Sequence, residues 1–232
     1  MLKLEGCAIE NGDFRLTADF EVAPGRFVGV IGPSGAGKTT LLEGIAGFLP
    51  VTHGEVIWQG RPITRLPPGK RPVAMLFQDG NLFPHLTVAR NVGLGLRPGL
   101  RLSRDETRAV EAALGRVGLR GLGGRKPAAL SGGQRARVAL ARLTVQKREI
   151  FLLDEPFGAL GPALKHEMLA LVADLARESG ATVLMVSHDP GDACKVADEV
   201  IVVEGGIAHP PVETGALFAD PPPGLRAYLG AG

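Results

Sequence analysis

Cysteine, net charge and long apolar runs are all scarce in this 232-residue chain, and each scarcity excludes a class of function. Cys7 and Cys194 are the only cysteines, far apart in sequence, so there is no disulfide framework and no CxxC redox or metal spacing. That usage suggests reduced thiols in a cytosolic protein. The formal net charge is +2, which gives no electrostatic case for a nucleic-acid partner. No apolar run approaches the roughly 18 residues that cross a bilayer. The opening MLKLEGCAIENGDF lacks the apolar segment of a secretory signal. A membrane role would therefore require docking onto a separate protein that spans it. No internal repeat is visible. What is present, 45% hydrophobic and 22% charged residues, is ordinary for a globular chain. The length suits one large domain, or one domain with a subdomain, and can bury a real core.

FRLTADFEV (residues 14–22) places Phe14, Leu16, Ala18, Phe20 and Val22 on one face, the period of two of a half-buried antiparallel strand. RFVGVI (Arg26–Ile31) is a continuous apolar strand leading into GPSGAGKTT and a helix over Thr39–Ala46. GEVIWQG (Gly54–Gly60) reads as a short strand bounded by glycines, and PVAMLFQ (Pro72–Gln78) as a buried one. From Thr87 to Gly133 the pattern is helical, with a capping box formed by Ser103 and Glu106. IFLLDE (Ile150–Glu155) is a buried strand ending in two acids. Pro162 suits the first turn of a following helix, and Gly180 its stop. ATVLMVSH and EVIVVEGG are two further strands, and the proline-rich tail DPPPGLRAYL is peripheral. Strands alternating with helices predict an α/β fold with a mainly parallel sheet, interrupted by a helical insert.

GPSGAGKT (Gly32–Thr39) matches G-x-x-x-x-G-K-[ST] between a strand and a helix, the context that gives this motif its meaning. Gly32, Gly35 and Gly37 allow the backbone to curl so that its N–H groups face phosphate oxygens. Lys38 adds charge at the β- and γ-phosphates, and Thr39 offers a hydroxyl to Mg²⁺. The expected nucleotide-binding run is therefore Gly32, Pro33, Ser34, Gly35, Ala36, Gly37, Lys38, Thr39 and Thr40. Asp154 at the tip of IFLLDE suits Mg²⁺, through water, and Glu155 suits orientation or deprotonation of an attacking water. His188 ends the next strand, on the same edge of a parallel sheet, where it can reach the γ-phosphate. Gln78 ends a strand on that edge too, with an amide that could reach either Mg²⁺ or the water. His53, His85, His166 and His209 have no evident partners and read as surface residues.

A second glycine turn, LSGGQ, opens a helix within the helical insert. A helix N-terminus behind such a turn suits a phosphate. If the insert projects outward, this turn cannot fold back onto its own nucleotide. Two copies arranged head to tail solve the problem, with Ser131, Gly132 and Gly133 of each closing over the nucleotide of the other.

The phosphate loop, Gln78, LSGGQ, LLDEP and His188, in that order, resemble the motif set of the nucleotide-binding subunits of ATP-binding cassette (ABC) transporters, over nearly the whole chain. The resemblance implies a P-loop NTPase cassette in one domain, residues 1–232. Within it, 1–86 and 146–210 would form the mainly parallel core and an antiparallel β subdomain. Residues 87–145 would form a helical subdomain, and 211–232 a short tail. ATP and Mg²⁺ are the implied ligands. Glu155 is implied as catalytic base, with His188, Gln78 and Lys38 as catalytic partners. Thr39, Gln78 and Asp154 are implied at the metal, and Ser131, Gly132, Gly133 and Gln134 at the nucleotide of a second copy. Gln78 would also lie in the loop that senses the membrane partner. The implied partners are that second copy, integral membrane permease subunits and, indirectly, a periplasmic substrate-binding protein. The implied location is peripheral, on the cytoplasmic face of the bacterial inner membrane. Arg71–Leu102 further resembles the ATP-binding subunit of bacterial thiamine importers, through MLFQ, NLF, HLTVA and GLGL. That implies thiamine as cargo, although no residue's chemistry points to thiamine, because cargo does not touch this subunit.

Two departures stand out. Gly161 occupies the place of the family's Asp after the AL dipeptide, a residue that links the two ATP sites; turnover is expected to be lower or less cooperative. Asn11 occupies the usual position of the adenine-stacking aromatic, leaving Phe14 as the nearby ring, so discrimination of ATP from GTP is expected to be poorer. Three alternatives remain. A P-loop kinase or lone GTPase would need neither LSGGQ nor Glu155. A DNA-repair or translation ATPase would carry a long coiled coil or a second cassette. An importer of iron, sulfate or polyamine is the serious rival. The basic run around LSGGQ reads as a solvated helix face.

Overall fold

The computed structural model describes residues 1–78, 82–222, 225 and 226. In chain order the strands are β1 (Leu2–Asn11), β2 (Phe14–Val22), β3 (Phe27–Ile31), β4 (Val51–Trp58), β5 (Arg61–Pro62), β6 (Val73–Leu76), β7 (Ile150–Asp154), β8 (Thr182–Val186), β9 (Glu199–Glu204), β10 (Ile207–Ala208) and β11 (Val212–Glu213). The helices are α1 (Lys38–Ala46), α2 (Val88–Gly93), α3 (Arg104–Arg116), α4 (Gly132–Val145), α5 (Pro162–Ser179), α6 (Pro190–Val196) and α7 (Thr214–Ala219). Among the described residues no helix is long and apolar enough to cross a membrane.

The strands form one sheet in the order β5-β4-β1-β2-β10-β9-β3-β8-β7-β6, with β11 beside β9. Its two halves differ. β9, β3, β8, β7 and β6 are mutually parallel. Every residue of β3, β7 and β8 is buried, as expected for apolar runs covered on both faces. β5, β4, β1 and β2 pair antiparallel. β2 alternates buried and exposed along its length, as its period of two predicts. The helices α2, α3 and α4 pack on one another and share an apolar core with α5 and one face of the parallel strands. α1 packs with the antiparallel strands on the other face.

The differences from the sequence reading have local causes. β1 has no clean alternation, because its register with β2 shifts between Leu4 and Cys7, so no period of two marks it. β4 begins at Val51 rather than Gly54. Gly54 lies inside it with φ +75°, where a Cβ would sit 2.3 Å from the carbonyl oxygen of Glu5. Glycine there answers a close backbone approach and does not mark a strand boundary. β6 stops at Leu76, two residues before the expected Gln78.

Two buried polar side chains hold the segments that frame the site. Arg71, 3% exposed, donates to the carbonyls of Gly44 (2.9 Å) and Ile45 (2.7 Å) at the end of α1, and to those of Thr64 (2.6 Å) and Leu66 (2.9 Å). It thereby satisfies carbonyls that a helix terminus leaves unpaired. The fully buried Asn91 amide donates to Phe83 and Leu86 and accepts from the Phe83 N–H, fixing the chain that leads into α2.

Candidate nucleotide-binding site

The parallel half brings four segments to one edge. The phosphate loop follows β3, Asp154 is the last residue of β7, His188 follows β8, and Gln78 follows β6. In the loop, Gly32 has φ +150°, and a Cβ there would lie 2.0 Å from the carbonyl oxygen of Val203. Gly37 has φ +108°, with the Phe14 ring 2.8 Å from where its Cβ would be. Only glycine fits these two positions. Phe14, half-buried, therefore lies against the loop, while Asn11 across the β1–β2 hairpin is exposed. Lys38 is 8% exposed, and its ammonium donates to the carbonyls of Gly32 (2.7 Å) and Pro33 (2.9 Å). Burial holds its pKa below the ordinary lysine value.

Thr39 donates its hydroxyl to Asp154 Oδ1 at 3.1 Å. Burial raises the Asp154 carboxyl above its ordinary range, and the neighbouring charge of Glu155 adds to this, while the Thr39 bond opposes it. Glu43 of α1 is raised as well, by burial and then by the charge of Asp154. The Thr39 hydroxyl and the Asp154 carboxyl form an oxygen-only donor pair, an arrangement that suits a hard divalent cation. Glu155 takes a left-handed backbone conformation, φ +44°, and its N–H donates to the carbonyl of Val186. That turn directs the side chain to His188, whose Nδ1 lies 3.2 Å from Glu155 Oε2. Among non-glycine residues such a conformation is strained, and strain of this kind collects at functional sites.

The LSGGQ turn is built separately. Ser131 accepts from the Gln134 N–H (3.2 Å), and Gln134 Oε1 accepts from the Ser131 N–H (3.0 Å), a reciprocal capping box at the start of α4. Among the described residues no hydrogen bond joins it to the phosphate loop. Its glycines instead face the segment after β7. A Cβ on Gly133 would lie 2.7 Å from Leu164 Cδ2, and one on Gly132 3.7 Å from Leu160 Cδ2. Gln78 is exposed and borders a cleft of about 250 Å³ shared with Gly132, Arg135 and Leu160. It thus lies on the side of the LSGGQ turn. Residues 79–81, which follow it, are outside the described set. His53, His85, His166 and His209 are all exposed, as expected.

A sequence model of the ABC transporter family matches residues 17–158. The chain belongs to the ABC transporter family. It is 58% identical, over 100% of both chains, to a protein of Ruegeria sp. (strain TM1040) named "Thiamine import ATP-binding protein ThiQ". A protein of the same name from Cereibacter sphaeroides is also 58% identical, over 99% of this chain and 100% of that one. Among solved structures it resembles the dimeric, post-hydrolysis ATP-binding cassette MJ0796 bound to ADP and Pi. That likeness has a TM-score of 0.78 at 28% identity and covers 92% of this chain and 99% of the other. The α/β cassette fold expected from the motifs is therefore the fold of this ABC protein.

The sequence reading missed one group beside the site. Lys165 of α5 reaches Asp189 and Asp192, and Asp192 accepts from Ser187, so the residues flanking His188 are tied to another helix. No local motif marks these positions, which only the fold brings together.

Proposed function

We propose that this ABC protein is the ATP-hydrolysing subunit of a thiamine importer, acting as a pair of copies beneath separate membrane-spanning permease subunits. The observation that carries hydrolysis is the 3.2 Å contact between Glu155 and His188, on the edge that bears Lys38, Thr39 and Asp154. The full-length likeness to two proteins named for thiamine import supports the cargo. The location follows from that role: the cytoplasmic face of the inner membrane, with a periplasmic binding protein delivering thiamine on the far side.

ATP docks with its phosphates on the loop Gly32–Thr40. Lys38 exchanges its two backbone carbonyl partners for β- and γ-phosphate oxygens. Thr39 and Asp154 would hold Mg²⁺, with Gln78 as a further contact from the loop after β6. Mg²⁺, when bound, neutralises phosphate charge and orients the leaving group. A second copy supplies Ser131, Gly132, Gly133 and Gln134, closing the site to bulk solvent around the one attacking water. Catalysis is then positioning and electrostatic stabilisation of an in-line transfer to water. Glu155 polarises that water, and His188 holds Glu155 and the γ-phosphate in register. Phe14 packs against the loop and offers the nearest ring to the base. Closing and opening of the pair drives the permease between its two access states.

The test is uptake of labelled thiamine into vesicles holding this chain, its permease and a thiamine-binding protein, with Glu155→Gln as control. Uptake that requires ATP and vanishes in the control is the expected result. ATP hydrolysis without thiamine uptake would keep the ATPase and reassign the cargo to iron, sulfate or a polyamine.

A further inference from the structure

We infer that Lys165 is a positioning residue for His188, acting from the first turn of α5 through the turn that carries the histidine. The inference rests on the ATPase reading above. His188 side-chain atoms are 57% exposed, so little packing holds the ring itself. Its orientation depends on the backbone at residues 187–189 as well as on its contact with Glu155. That backbone is closed by a bond that skips the histidine: the Asp189 N–H donates to Ser187 Oγ at 3.1 Å. Ser187 Oγ in turn donates to Asp192 Oδ2 at 2.5 Å. Asp192 is 3% exposed. A carboxylate so buried requires a compensating charge, and Lys165 Nζ lies 2.8 Å from the same oxygen. The same ammonium donates to Asp189 Oδ2 at 2.9 Å. One cation therefore anchors the residue before His188, through Asp192, and the residue after it directly.

The charges agree with this geometry. Burial lowers the Lys165 pKa, but its bonds to Asp192 and Asp189 outweigh it, so the net direction is up. The Lys165 bond likewise holds the Asp189 carboxyl below its usual range. Lys165 touches neither the phosphate loop nor Glu155 among the described residues. Its effect reaches the reaction only through the turn. Removing it should leave nucleotide affinity in place and release the His188–Glu155 contact.

The experiment measures ATP hydrolysis by the intact transporter with wild-type, Lys165→Met, Lys165→Arg and Asp189→Asn chains. Lys165→Met is expected to lower kcat about tenfold with KM for ATP within about twofold, because the lost interaction serves the transition state and not substrate binding. Lys165→Arg, which keeps the charge and both bonds, should restore most of the rate. Asp189→Asn keeps the cap on the Gly191 N–H (2.9 Å) and weakens only one anchor, so it should fold normally and lose about twofold to threefold in kcat. It decides the matter if Lys165→Met fails to fold. Unchanged kcat in both Lys165→Met and Asp189→Asn would overturn the inference, as would a loss in either that appears in KM alone. A wild-type chain that does not hydrolyse ATP would instead overturn the functional reading on which it rests.

Discussion

The phosphate-loop edge and the LSGGQ turn are the two regions proposed to hold phosphate, and they differ in what they are bonded to. On the edge, the parts already hold one another: Lys38 on its own loop, Thr39 on Asp154, His188 on Glu155. Thr39 and Asp154 are 115 positions apart and Glu155 and His188 are 33 apart, and the parallel register delivers them together. The LSGGQ turn is satisfied within four residues, through the reciprocal Ser131–Gln134 box. Among the described residues it shares no hydrogen bond with the edge. One device is a site that lacks only its ligand; the other is a surface that lacks a site. In the proposed pair of copies each would supply what the other lacks.

The sharpest way to separate them is to damage each in turn. Glu155→Gln should lower kcat by roughly 10²–10³-fold, the scale of a lost general base or positioned charge. The same variant should still bind MgATP and hold a dimer in the assembled transporter, seen by light scattering; a monomer at saturating MgATP would contradict the two-copy arrangement. Gly133→Ala attacks the other device. Its methyl would lie 2.7 Å from Leu164 Cδ2, so either the Leu164 side chain or the turn must shift. Hydrolysis should fall about tenfold or more, while fluorescent-nucleotide affinity of the isolated chain stays within about twofold. Equal damage to nucleotide affinity would mean that the two regions are not independent. Adding Leu164→Ala should recover part of the rate.

A subtler contrast is electrostatic. The Asp154 carboxyl is raised by burial, so between its ordinary and raised values the folded state binds more protons than the unfolded one. Stability of the nucleotide-free protein therefore falls as pH rises through that window. Asp154→Asn should remove this dependence and raise the thermal midpoint at neutral pH by a few degrees, while abolishing Mg²⁺-dependent hydrolysis. Scanning calorimetry at acid and neutral pH checks both. No comparable shift is expected from Ser131→Ala. The smallest effect belongs to Gly161, the helix cap of α5, where a Cβ would meet nothing within 4 Å. Gly161→Asp should add a few tenths of a kcal/mol through a side-chain cap. If an acid at this place links the two ATP sites, the Hill coefficient for ATP should rise; if it does not move, the coupling route lies elsewhere.

What could be read in the sequence was what is local. GPSGAGKT states its geometry within eight residues, and the Ser103–Glu106 box within four, so motif and structure coincide. Buried strands such as β7 announce themselves by unbroken apolar runs. β1 escaped because its bulge interrupts the alternation that defines a strand, and Gly54 misled because a glycine needed for close approach resembles a glycine that ends an element. The Glu155–His188 contact was legible as two residues on one edge, but not as a bond. Lys165 was not legible at all. Its partners lie 24 and 27 positions away on another element, and a lysine on a helix ordinarily reads as solvated.

The first turn of α5 has neighbours on both devices: Leu164 beside Gly133, and Lys165 bonded to Asp189, the residue after His188. In a head-to-tail pair, a chain's own glycine turn and its own histidine serve different nucleotides. A mixed pair with one altered chain would then carry two unlike lesions. Leu164→Ala would harm the nucleotide held by the healthy copy, whereas Lys165→Met would harm the one held by the altered copy. Each defect thus bears an address, and counting bound ADP site by site in such mixed pairs would read it.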